Sequence, residues 1–176
     1  MELNLYTGAV LLLAIASAAG AAADDKPDPA TCPMHAAHQT AGHPGAAGHQ
    51  AGVDERHDHA TGVGHADSVH HFTLREKGGV IQLEVKDAAD TAGRDRIRAH
   101  LASIAKQFAE GRFDVPTTIH DRVPPGVPEM RRLAAAIRYT YEPTDKGGRV
   151  VIATDDAKAR AAIHAFLRFQ IDDHRT

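Results

Sequence analysis

Tryptophan is absent from the 176 residues, and Cys32 is the sole cysteine. A lone cysteine excludes an internal disulfide framework. Aromatic residues make up only 5% of the chain, too few for a stacking platform that would hold bases or sugars. Neither sign of charge dominates: a net charge of −3 with histidine neutral gives no general pull toward nucleic acid. Catalytic signatures are missing as well. The chain has no Gly-x-Ser-x-Gly elbow, no phosphate-binding glycine loop and no His-Glu-x-x-His helix. Between Asp24 and Asp67 large apolar residues almost vanish. Such a stretch cannot bury enough surface to offset the entropy of ordering, so residues 24–68 are expected to be a disordered tract in the absence of a ligand.

What the chain has in quantity is histidine: thirteen in all, nine of them between His35 and His71. Below about pH 6.5, the ordinary imidazole pKa, these would turn the chain strongly positive. Ahead of the tract, Ala9-Val10-Leu11-Leu12-Leu13-Ala14-Ile15-Ala16 and the small residues ending Ala21-Ala22-Ala23 have the apolar core and exit of a secretory signal peptide. Residues 1–23 are therefore expected to be removed, with cleavage before Asp24. The leading segment carries Glu2 and no basic residue, and an uncleaved anchor is the rival reading. Alanine contributes little to insertion, which favours cleavage, no stable membrane insertion afterwards, and a periplasmic or secreted chain.

Within the tract, Cys32 and Met34 are two residues apart, so an extended backbone projects both sulfurs to one side, and Pro33 stiffens the arrangement. His35 follows directly and His38 three residues later. Thiolate plus thioether is a soft pair that favours Cu(I), whereas imidazole also suits Cu(II) and Zn(II). Thr31-Cys32-Pro33-Met34-His35 resembles the Cys-Pro-Met-His core of the heavy-metal-binding segments of copper-transporting P-type ATPases and heavy-metal efflux adaptors. Ala36-Ala37-His38 follows here, where those segments have proline and an acidic residue. The resemblance implies metal capture by Cys32, Met34 and His35, and a protein partner in metal efflux.

Farther along, His57, His59, His65, His70 and His71, with Asp58 and Asp67 among them, supply nitrogen and oxygen ligands for copper or zinc. A flexible tract must be ordered on binding, so each of its sites would be modest and exchangeable, as in a carrier or buffer. The bland alternative is a solvated linker in which histidine is incidental.

From residue 69 to 176 the pattern becomes that of one α+β domain. His70, Phe72 and Leu74 alternate with polar residues, Lys77-Gly78-Gly79 reads as a turn, and Ile81, Leu83 and Val85 alternate again. Asp87 or Asp90 offers a cap for a helix carrying Ile97, Leu101, Ile104 and Phe108, with Gly111 as its stop. The plan returns in Ile137, Tyr139 and Tyr141, then Lys146-Gly147-Gly148, Val150 and Ile152, and a helix capped by Asp155 or Asp156 that carries Ile163, Phe166, Leu167 and Ile171. Two hairpin-plus-helix repeats, about 70–111 and 137–174, are therefore expected to pair into a four-stranded antiparallel sheet with helices on one face. The bridge between them holds an irregular segment, Val115 to Asp121, and a short helix from about Glu129 to Ala136.

His100 falls on the flank of the apolar stripe and reads as a boundary histidine satisfied by a backbone carbonyl. His120 sits in the irregular segment, where functional residues often gather, and could join His70 or His71 in a metal or acid–base site. His164 reads as solvent-facing, and His174 as closing the last helix against the core. The leading expectation is an exported copper- or zinc-binding protein for metal handling or tolerance. Its rivals are a partner-binding α+β module with the tract as spacer, and a small hydrolase or lyase using His70, His71 and His120.

Overall fold

The computed structural model describes residues 44–176. Helix α1 (Pro44–Thr61) comes first, then strands β1 (Ser68–Arg75) and β2 (Gly78–Val85) and helix α2 (Thr91–Ala109). Two short helices, α3 (Asp114–His120) and α4 (Val127–Arg132), and a 3-10 turn at Ala134–Ala136 make the bridge. Strands β3 (Arg138–Thr144) and β4 (Gly147–Ala153) and helix α5 (Ala157–His174) complete the chain.

The sheet is four-stranded, in the order β1-β2-β4-β3, and every pairing is antiparallel. This is the α+β architecture expected from the two repeats. The dyad between them runs through the central pair: Gly78 faces Ala153 as Gly147 faces Glu84. Ile81, Leu83 and Val85 of β2 and Val150 and Ile152 of β4 point to one face and are buried there. Helix α2 lays Ile97, Leu101, Ile104 and Phe108 on that face, and α5 adds Ile163, Phe166 and Leu167. Apolar residues at three- and four-residue intervals make one stripe on each helix, which is why each has a single side to bury. Asp90 and Asp156 start the two helices by accepting hydrogen bonds from backbone N–H groups of the first turn, from Gly93 in one case and from Lys158 and Ala159 in the other.

Three details differ from the sequence reading. The hairpin turns are Glu76-Lys77 and Asp145-Lys146, and the glycines that follow already lie in the strands. A Cβ on Gly78 would stand 2.0 Å from the Ile152 carbonyl oxygen, and one on Gly147 would stand 2.2 Å from that of Leu83. These glycines permit the close approach of β2 and β4 that the dyad requires. The segment expected to be irregular is helical in α3, with Pro116 inside its first turn, where a missing N–H costs nothing.

The largest departure concerns the tract. Residues 24–68 are expected to lack structure, yet Pro44–Thr61 is a helix and the turn after it packs on the domain. Val53 is fully buried, and His57, Thr61, Val63 and Ser68 are buried with it. The domain therefore extends well upstream of residue 69. The expected signal segment and Cys32, Met34, His35 and His38 lie outside the described residues.

Candidate metal centre

Four histidines from four separate places meet at one end of the sheet. His57 comes from α1, His65 from the turn after it, His70 from the inner face of β1, and His174 from the last position of α5. Local hydrogen bonds explain why the turn delivers His65. Gly62, at φ +69, ends α1 and donates its N–H to the Asp58 carbonyl 2.9 Å away. The Asp58 carboxylate accepts the N–H of His65 at 2.6 Å, and Thr61 Oγ1 bonds back to the His57 carbonyl at 3.0 Å. His70 turns inward because strand residues alternate; His71, its neighbour, is exposed on the other face of the sheet.

The ring centroids define a compact group. His57 lies 4.4 Å from His70, 5.5 Å from His65 and 6.0 Å from His174. His65 and His70 are 5.3 Å apart, His70 and His174 are 5.1 Å apart, and His65 and His174 are 6.0 Å apart. Four imidazoles bound through nitrogen to one tetrahedral ion, with metal–nitrogen bonds of about 2.0–2.1 Å, would have centroids roughly 5 Å apart. The observed six-way spacing brackets that value.

The nitrogens are arranged unequally. His57 Nδ1 faces Asp58 Oδ1 at 3.4 Å, and His65 Nδ1 lies 3.8 Å from Asp54 Oδ1. A carboxylate behind Nδ1 favours the proton there and leaves the Nε2 lone pair for the other side, the arrangement that second-shell carboxylates give to ligating histidines. His57 Nε2 and His70 Nε2 meet at 2.7 Å, so His57 accepts and His70 donates. His65 Nε2 and His174 Nδ1 are buried without any hydrogen-bond partner. An unpaired buried nitrogen costs free energy, roughly 1–3 kcal/mol in ordinary cores, so two in one cluster need an explanation.

Among the described residues, no three histidine, cysteine or acidic side chains have donor atoms already at the spacing of a bound ion. The short contact between His57 and His70 shows why: two nitrogens on one tetrahedral ion would be about 3.3 Å apart, whereas these two share a hydrogen. The rings of His65, His70 and His174 lie within 14–16° of parallel, so metal binding would require them to rotate about their side-chain bonds until their nitrogens converge. Electrostatics favours the neutral imidazoles that a metal needs. Burial, reinforced by the charges of neighbouring histidines, pushes the pKa of His70 far down and that of His174 to about 3. Burial also lowers that of His57, the nearby Asp58 only partly offsetting it.

Beside this group lies a chamber of about 60 Å³ whose polar wall is His57, His70, His100, His120, His174 and Gln170. His120, the last residue of α3, gives Nδ1 to Asp173 at 2.5 Å and meets Gln170 Oε1 with Nε2 at 2.9 Å. Its ring centroid is 5.1 Å from that of His174. Asp173 also takes His49 Nε2 at 2.9 Å; burial opposes its charge, but the bonds from His49 and His120 hold its carboxyl below the usual range. His100 is pushed down to about 4 by burial and meets the backbone of Ala60.

Of the ligands expected from the sequence, His57, His65 and His70 are thus together, and His120 borders them. His59 is exposed on α1, and His71 is exposed across the sheet; neither joins the group. From the sequence His174 has only a packing role and His49 none. The signal that would have found α1 is the four-residue spacing of His49, Val53, His57 and Thr61, which a scale that scores histidine and threonine as polar does not register. His164 is not solvent-facing: its Nε2 bonds the carbonyls of Arg75 and Gly78, at 2.9 and 3.0 Å, and braces the first hairpin turn.

No protein-family model matches this chain, and no curated protein or solved structure matches it either. Among the described residues, no helix is long and apolar enough to cross a membrane.

Proposed function

We propose that this is an exported copper- or zinc-binding protein of metal handling or tolerance, and that its folded domain carries a histidine centre made by His57, His65, His70 and His174. The observation that carries the reading is the convergence of four imidazoles of which two have a buried nitrogen with no partner. A neutral, partly unsatisfied nitrogen cluster is what a divalent ion or Cu(I) stabilises, and structural cores have no use for one. The carboxylates behind His57 and His65 support it, because they orient the rings as ligands require. Cys32, Met34, His35 and His38 would form a separate, softer capture site, and the apolar leader would direct export.

Two sites of different chemistry make the proposal testable. Cys32→Ser with Met34→Leu should weaken Cu(I) binding at least ten-fold in competition with a chromogenic chelator, and leave the tightest Zn(II) or Cu(II) equivalent unchanged. Protein purified from its native compartment without affinity resin should carry copper or zinc. Metal-free native protein with no stoichiometric affinity for either ion would reject the reading.

A further inference from the structure

The chamber differs in character from the histidines beside it. Its other wall is apolar, formed by side chains such as Phe72, Leu101, Ile104, Phe108 and Ile119, and no acidic residue lines it. Gln170, only 4% exposed, has a polar atom there without a partner. Turning the amide over does not remove the problem: one of its two polar atoms meets His120 Nε2, and the other stays unpaired in a residue that lines the chamber. At about 60 Å³, measured where a single water needs roughly 10–15 Å³, the space admits a ligand of a few heavy atoms and nothing larger.

Charge then decides what that ligand is. Four neutral imidazoles leave a divalent ion with its full charge at the edge of an apolar space, a costly arrangement unless an anion is drawn in. The carboxylates in the neighbourhood do not supply one on the inner side. Asp54 and Asp58 stand behind the rings and are partly exposed, while Asp173 is engaged by His49, His120 and Arg122. Building on the metal reading above, we infer that the four-histidine ion takes a fifth, exchangeable ligand on the side facing the chamber, and that this ligand is a small monoanion of two to four heavy atoms whose far end is hydrogen-bonded by the Gln170 amide. His57, His70 and His174, the three ligands that border the chamber, would share the ion's inner side with it. The protein is then more than a store: an ion with an open, anion-filled position in a small apolar pocket can exchange ligands or pass the ion on without dismantling the site.

The test uses the full chain loaded with Co(II), whose visible spectrum reports its ligands, and sodium azide as the probe. Azide should change the spectrum saturably in the native sequence. In Gln170→Leu, with Co(II) still bound, azide affinity should drop at least five-fold. Gln170→Glu supplies the anion from within, so it should hold Co(II) at least as tightly and no longer respond to azide. A Co(II)-loaded chain whose spectrum ignores azide, or azide responses equal in all three proteins, would overturn the exchangeable position and leave the histidine centre standing. Failure of the native chain to bind Co(II) through its histidines would overturn the centre itself, and the anion site with it.

Discussion

His57 and His65 share a feature at the scale of single residues: each has an aspartate behind Nδ1 and a buried Nε2, that of His57 meeting His70 and that of His65 without a partner. Burial, and not these carboxylates, keeps His57, His70 and His174 neutral, and neutrality has a measurable consequence. Folding holds the pKa of His100 at about 4 and that of His174 at about 3, and lowers those of His57 and His70 too, whereas in the unfolded chain all four lie near the ordinary value of about 6.5. Above that value neither state takes up protons and the stability is intact. Below it the unfolded chain binds protons that the folded chain refuses, so stability falls with falling pH until the folded pKa values are reached. Aspartates and glutamates whose pKa values are lowered act in the same direction, but only from about pH 4 downward, so the window between pH 7 and pH 5 isolates the histidines. The metal-free protein should therefore show a urea midpoint that drops clearly from pH 7 to pH 5. A midpoint that is flat across that range would mean that the buried histidines are not held neutral.

Helix α1 is the element on which the site depends and the one least legible in the sequence. Gly48 and Gly52 weaken it as an isolated helix, and it has no apolar stripe: Val53 is the sole large apolar side chain among its buried residues. What holds it are polar ties that no hydropathy pattern reveals. Arg56 Nε donates to the Ile119 carbonyl at 2.7 Å, His49 bonds Asp173, and His57 bonds His70. The strands and the two long helices, by contrast, were readable because alternation and three-four spacing follow directly from burying one face. In limited trypsin digestion of the metal-loaded protein, the bond after Arg56 should resist cleavage. Rapid cleavage after Arg56 under those conditions, with a stable fragment starting at His57, would show that α1 is not docked.

For the whole molecule, the two repeats are alike in the core and unlike at the site. The register of the sheet places Tyr139 opposite Ile152 as it places His70 opposite Leu83. The second unit thus has a tyrosine packed against Phe108 where the first has an imidazole at the chamber. The shared plan was legible from the recurring Lys-Gly-Gly and helix patterns; the divergence was not, because it lies in which half α1 covers and in where the last turn of α5 ends. The shared core should carry most of the stability. Leu101→Ala and Phe166→Ala, at 2% and 1% exposure, should each cost about 2–5 kcal/mol in chemical denaturation. A loss below about 1 kcal/mol at both positions would contradict the packing of α2 and α5 on the sheet.

The central claim is that the metal is held by the four histidines that fold together and not by the histidines of the chain at large. Competitive Zn(II) titration of two double variants of the full chain tests it most directly, because both remove the same number of imidazoles. His70→Gln with His174→Gln removes two that face the cluster, and His59→Gln with His71→Gln removes two that are exposed. The account predicts that the first pair loses the tightest Zn(II) equivalent, with affinity down at least a hundred-fold, while the second pair matches the native protein. Equal affinities in the two variants would contradict it.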